Sequence, residues 1–114
     1  MRIGADVIEI GRIADALERF PGFARRILTQ AEMQVAASRR DPTSFIAGRF
    51  AAKEAIAKAL GGSIGWREVE ILPDGDGAPI VKLSGRAKDA GAGVELCLSI
   101  SHSRTVATAV AIAM

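Results

Sequence analysis

Phe45-Ile-Ala-Gly-Arg-Phe-Ala-Ala-Lys-Glu-Ala-Ile-Ala-Lys-Ala-Leu-Gly61 reads as one helix. Alanine, the strongest helix former, fills many of its positions. Pro42 places the start just behind itself, with Thr43 or Ser44 expected at the N-cap, and Gly61-Gly62 supplies the stop. At about 100° per residue, Phe45, Ile46, Phe50, Ala52, Ile56, Ala59 and Leu60 gather on one face. Arg49 and Lys53 fall inside that apolar arc, four residues apart. A long cation there must snorkel to water, find a partner or line a pocket. Glu54 and Lys58 sit at the edge of the arc, also four apart. Taken alone they read as a helix-surface ion pair contributing about 0.3 kcal/mol. The sharper reading is a metal-binding carboxylate beside a phosphate-binding cation.

The 114 residues suffice for one domain, 1–114, burying about two-thirds of its unfolded surface. Hydrophobic residues at 49% and charged residues at 25% are a globular balance without a membrane span. A formal charge of +2 is too mild to indicate nucleic-acid binding, and aromatics at 4% with no Tyr give no stacking platform for bases. Cys97 and His102 are the one cysteine and the one histidine, so neither an intrachain disulfide nor a Cys-based zinc site can form. A reducing cytoplasm suits that composition. Met1-Arg2-Ile3 runs into Asp6 and Glu9 without an apolar h-region, so no signal peptide is expected.

Around the central helix, Arg2 to Ile10 reads as a strand, with Ile3, Ala5 and Val7 on one face and Gly4, Asp6, Ile8 and Ile10 on the other. Asp is depleted in strands, so Asp6 is either an edge residue facing water or an inward carboxylate holding a cation. Arg12 to Phe20 is helical over Ile13, Ala16, Leu17 and Phe20, and Pro21-Gly22 breaks it. Phe23 to Leu28 adds another turn. Thr29 and Glu32 match a capping box opening a helix to about Ser38. Arg12, Arg19, Arg25 and Arg26 give this region a basic surface, either ordinary solvated faces or a dock for an acidic partner.

After the short loop Gly61–Gly65, Arg67 to Leu72 and Pro79 to Leu83 read as a hairpin across Pro73-Asp-Gly-Asp-Gly77. That turn is no calcium loop, because Pro79 stands where the required Gly belongs. Ser84 to Ala90 is a short helix ended by Gly91. Val94 to Ser101 and Thr105 to Met114 form a second hairpin, with His102 at its tip, where a structural role is the commoner one. The class is α+β, a mostly antiparallel sheet packed against one long helix.

Four segments resemble holo-[acyl-carrier-protein] synthase, the small trimeric class of 4′-phosphopantetheinyl transferases. They are Ile3-Gly-Ala-Asp-Val-Ile-Glu-Ile10, Arg26-Ile-Leu-Thr-Gln-Ala-Glu32, Ala47-Gly-Arg-Phe-Ala-Ala-Lys-Glu-Ala55 with Lys58-Ala-Leu-Gly61, and Leu98-Ser-Ile-Ser-His-Ser103. The first is weak alone, whereas the third and fourth together are highly specific. The loop between Gly61 and Trp66 is shorter than the family's usual connection. The resemblance implies the 4′-phosphopantetheinyl transferase fold and transfer of 4′-phosphopantetheine from coenzyme A to a serine of apo-acyl-carrier protein. Adenosine 3′,5′-bisphosphate is the other product, and fatty acid biosynthesis the expected setting. It further implies a homotrimer with active sites at its interfaces.

By the same resemblance, Asp6 and Glu54 hold magnesium and Lys58 contacts the phosphates, these three forming the catalytic set. Arg49, Lys53, Gly61 and His102 join Lys58 in binding the coenzyme, though Arg49 and Lys53 can also pair within the interface. The acidic carrier docks on Arg12, Arg19, Arg25 and Arg26. The serine's proton acceptor stays open among Asp6, Glu54 and a metal-bound water. A non-catalytic scaffold of the same fold would be expected to lose Asp6, Glu54 or Lys58, and all three stand here.

Overall fold

A computed structural model describes all 114 residues. Strand β1 (Arg2–Glu9) leads into helices α1 (Ile10–Arg19), α2 (Phe23–Ile27), α3 (Gln30–Ala37) and α4 (Pro42–Leu60). A 3-10 turn at Trp66–Glu68 precedes the hairpin of β2 (Val69–Pro73) and β3 (Pro79–Leu83). Helix α5 (Gly85–Ala90) and the hairpin of β4 (Leu96–His102) and β5 (Val106–Ala113) complete the chain. The class is α+β as expected, but the antiparallel strands divide into two sheets, β1-β5-β4 and β2-β3.

Helix α4 is the centre of the molecule. Twelve of its 19 residues are buried. It is buried nearly all round because the three-stranded sheet covers one side while α1, α3 and β2 close over others. Its start differs from expectation. Asp41 is the N-cap, its carboxylate accepting from the Ser44 N–H at 3.1 Å and from the Ser44 hydroxyl, and Pro42 is the first helical residue. Proline is favoured there, where its missing N–H would have no helical partner anyway. Gly61 ends the helix in the left-handed region at φ 76°.

Register decides which residues meet α4. Gly4, Asp6 and Ile8 of β1 pair with Ala111, Ala109 and Ala107 of β5, which pair in turn with Leu98, Ile100 and His102 of β4. This is the side turned to the helix, and its alanines are fully or almost fully buried. The small residues let the helix come close. A Cβ on Gly4 would lie 1.9 Å from the Ala55 carbonyl oxygen, so the glycine is what permits the contact. The larger residues stand on the opposite side, in rows Ile3–Ile112–Cys97 and Ala5–Val110–Ser99. Ile3, Val7 and Val110 are 65%, 66% and 41% exposed there.

The capping box at Thr29 and Glu32 is present, opening α3. Several boundaries move, among them Ile10, which opens α1 instead of ending β1. Arg67 and Glu68 belong to the 3-10 turn rather than to β2. β4 begins at Leu96, because Val94 is held in a turn by its N–H on the Gly91 carbonyl. No helix is long and apolar enough to cross a membrane.

Candidate active site

Two open clefts flank α4. The first, of about 420 Å³, lies along its C-terminal half and is walled by Glu54, Lys58, Gly61 and the loop through Ser63 to Trp66. Glu54 and Lys58 are one turn apart on the same helix face, but they do not form the surface pair that their spacing allows. Lys58 reaches the sheet instead. Its ammonium donates to the Ala5 carbonyl at 2.8 Å and to the Asp6 carboxylate at 3.3 Å. Asp6 is thus an inward, half-buried carboxylate on an edge strand, and the cation it holds is Lys58. The Lys58 side chain remains 54% exposed to the cleft.

Glu54 is half-buried and takes part in none of the chain's three ion pairs. One Asp6 oxygen contacts Lys58, which leaves the other without a charged partner. Magnesium needs only one or two carboxylates, completing its shell with phosphate oxygens and water. The donor set at Asp6 and Glu54 fits that requirement. No group of three or more His, Cys, Asp or Glu side chains gathers anywhere in the chain, as a cage of protein ligands alone would need.

The second cleft, of about 350 Å³, lies beside the N-terminal half of α4. His102 and Arg49 line it with Arg39, Arg40 and Asp41. Arg49 Nε donates to the Ile71 carbonyl at 3.1 Å, and its guanidinium carbon stands 4.1 Å above the Phe45 ring. Burial pushes its pKa down to about 10, so it stays charged at neutral pH. No buried side-chain nitrogen lacks a partner, so the remaining Arg49 nitrogens open to the cleft. The Ser44 hydroxyl and N–H hold the Asp41 carboxyl below its usual range. Three arginines against one paired aspartate give this cleft a net positive lining. Arg39 and Arg40, which the sequence pattern did not single out, line this cleft; the Arg-Arg-Asp-Pro run places these two cations at the start of α4.

The clefts share no lining residue. His102 lies two strands across from β1 and two residues along it from Asp6, about 12 Å at the Cα level. One chain therefore brings together Glu54, Lys58 and Gly61, with Asp6 in contact with Lys58, and separately Arg49 and His102.

Lys53 was expected either to contact coenzyme or to pair, and it pairs: its ammonium has three donors and all are used inside the protein. They go to the Ile27 carbonyl at 2.6 Å, Glu32 Oε1 at 2.6 Å and the Trp66 carbonyl at 3.0 Å. Only its stem reaches the first cleft, and the residue is 2% exposed. Burial pushes its pKa down while Glu32 opposes the shift. Three acceptors around one nitrogen require the charged form with three hydrogens. Arg12, Arg19, Arg25 and Arg26 are all exposed, on α1 and α2.

A family profile for the 4′-phosphopantetheinyl transferase superfamily matches residues 2–111. The holo-[acyl-carrier-protein] synthase of Clostridium novyi (strain NT) is 46% identical, over 96% of this chain and 84% of its own length. That of Chlorobaculum tepidum is 43% identical, over 98% and 97%. Among solved structures, the Helicobacter pylori holo-[acyl-carrier-protein] synthase in complex with coenzyme A has a TM-score of 0.86 at 33% identity, covering 98% of this chain and 99% of that one. The Bacillus anthracis str. Ames synthase, in complex with CoA (3′,5′-ADP), has a TM-score of 0.84 at 37% identity, covering 98% and 94%. A full-length match in sequence and in fold, on a chain that also brings Asp6 and Lys58 into contact, means that this protein belongs to the 4′-phosphopantetheinyl transferase superfamily, among the holo-[acyl-carrier-protein] synthases.

Proposed function

We propose that the chain transfers 4′-phosphopantetheine from coenzyme A to a serine hydroxyl of apo-acyl-carrier protein. The observation that carries this reading is the first cleft. There the Lys58 ammonium and the unpaired Glu54 share one open wall, and Lys58 reaches from it to the Asp6 carboxylate of β1. In the reaction the serine oxygen bonds to the β-phosphorus of the coenzyme pyrophosphate. The bond from that phosphorus to the bridging oxygen breaks, and adenosine 3′,5′-bisphosphate leaves with the bond's electrons. Negative charge spreads over the phosphoryl oxygens as this happens. Lys58, half-exposed, is the cation of this chain that can meet that charge. Asp6 and Glu54 are the carboxylates beside it, available to take the serine proton. Magnesium on Asp6 and Glu54, when bound, supplies further positive charge to the pyrophosphate. Gly61 leaves the cleft wall without a side chain at the helix end.

The complete site is a product of assembly. Arg49 and His102 belong to the coenzyme's binding groups, yet they line a different cleft of the same chain. A second copy that applies its second cleft to the first cleft of its neighbour would unite them. The apolar outer rows around Ile3, Val7 and Val110 offer the contact surface for such copies, supporting a homotrimer with interface sites. The carrier's acidic surface docks on Arg12, Arg19, Arg25 and Arg26.

The direct test is a mass measurement. Apo-carrier incubated with the protein, coenzyme A and magnesium should gain the mass of phosphopantetheine. Chelation should abolish the gain, and Asp6→Asn and Glu54→Gln should each lower kcat/KM by about 10²-fold or more while melting like wild type. Carrier binding with no mass increment would identify a non-catalytic scaffold and end the proposal.

A further inference from the structure

The Lys53–Glu32 pair takes no part in the chemistry above, and it is the most enclosed ion pair of the molecule, at 1% and 0% side-chain exposure. Its hydrogen bonds go to five different segments. From α4, Lys53 binds the Ile27 carbonyl at the end of α2, Glu32 in the first turn of α3, and the Trp66 carbonyl behind the glycine loop. Glu32 Oε1 also accepts from the Thr29 N–H, and Oε2 accepts from the Ile71 N–H of β2, both at 2.8 Å. Stability does not explain such a pair, since well-packed apolar residues commonly do as well in its place. What directed bonds supply, and apolar contacts do not, is fixed distance. One of those distances belongs to the coenzyme cleft. Trp66 closes its wall after Ser63, Ile64 and Gly65, and its ring stacks on Phe50 of α4 with centroids 4.8 Å apart.

We propose that Lys53 and Glu32 are positioning residues for coenzyme A: held from beneath by Lys53, the Trp66 carbonyl sets the loop wall of the first cleft at a fixed distance from Lys58. The inference rests on the coenzyme reading of that cleft. Lys53 touches neither substrate and acts through the backbone of Trp66.

Trp66 is the one tryptophan in the sequence, so its fluorescence reports the wall without any turnover. Two variants test the idea. Lys53→Arg keeps the charge beside Glu32, but its planar guanidinium cannot serve three acceptors disposed around one nitrogen. Lys53→Met/Glu32→Gln leaves no buried charge unpaired. Whichever of them melts cooperatively should show a KM for coenzyme A raised about tenfold, with kcat and the KM for carrier changed less than about threefold. Its Trp66 should be quenched more readily by acrylamide. Wild-type quenching and an unchanged coenzyme KM in a folded variant would overturn the proposal. So would an equal rise in both KM values, which is the mark of general loosening. Loss of cooperative melting in both would also overturn it, because the pair would then be part of the core alone. Failure of the cleft reading is separately visible. In that case wild-type Trp66 fluorescence would not respond to coenzyme A at all.

Discussion

Lys58 and Glu68 show how little of a residue's role is stability. Lys58 contacts Asp6 across a half-exposed pair, so Lys58→Ala should alter unfolding free energy by no more than about 0.5 kcal/mol. The same change removes the exposed cation of the cleft, and kcat/KM for coenzyme A should fall about 10²-fold, read in steady-state kinetics. Glu68 is a pH-sensitive clasp on the loop. It accepts from the Gly65 N–H at 2.6 Å and from the Arg86 N–H at 2.9 Å, which holds its carboxyl below the ordinary 4.5. A lowered folded pKa means that the native state binds this proton less readily than the unfolded chain. The contribution is therefore complete above pH 4.5 and is lost as pH falls below 4.5 through the lowered value. Glu68→Gln should melt below wild type at pH 7, and the two curves should draw together as pH falls below 4.5. A gap in Tm that persists at the acid end would assign the effect to something other than this titration.

At the scale of elements, the seat of α4 on β1 is the contact that fixes the site, because it carries Lys58 to Asp6. Gly4 makes it possible. An added Cβ would meet the Ala55 carbonyl oxygen at 1.9 Å and the Ala59 nitrogen at 2.8 Å, both backbone atoms that cannot rotate away. Gly4→Ala should therefore cost about 3 kcal/mol in denaturant unfolding, since the helix must lift. Gly11 in α1 is the control. Nothing lies within 4 Å of a Cβ there, so Gly11→Ala should be neutral or stabilise by about 0.5 kcal/mol through helix propensity. Equal behaviour of the two variants would show that the close approach is not what the glycine serves. Helix α4 is also buried beyond its own pattern. An arc of seven apolar residues suggested one buried face, whereas neighbours on several sides also bury Ala47, Ala51 and Ala55 outside it.

The whole molecule is where docking and assembly belong. Val110 stands 41% exposed on the outer side of the central strand, between Ala5 and Ser99. Val110→Asp should leave the protomer folded and prevent association. Sedimentation should then report a single 11.9 kDa chain, against three times that mass for wild type, and transfer should be lost with it. An active wild-type single chain would contradict interface sites. The carrier dock is a matter of rim charge, which acts on encounter and salt dependence more than on chemistry. Arg12→Glu or Arg19→Glu should raise the KM for apo-carrier and leave coenzyme binding nearly unchanged. Added salt should weaken wild type more than either variant, whose attraction is already gone. Equal loss for both substrates would place the dock elsewhere.

Local chemistry made much of this protein legible in its amino-acid sequence. The α4 span, the capping box at Thr29 and Glu32, the β2–β3 turn and the β4–β5 hairpin follow from propensity, caps and period, all of which act within a few residues. Asp6, Glu54, Lys58 and Gly61 stood out through motif and spacing, and the fold places Glu54, Lys58 and Gly61 on one cleft with Lys58 contacting Asp6. What a cation does inside a core was not legible, because the answer lies in a partner far along the chain. Glu32 caps its own helix by local rules, and only the tertiary fold brings it to Lys53, 21 residues away. The same holds for the split between the clefts. Asp6 and His102 lie on two edge strands separated by β5 and capped by α4, an order that pairing and layer packing decide and that no local pattern in either segment contains.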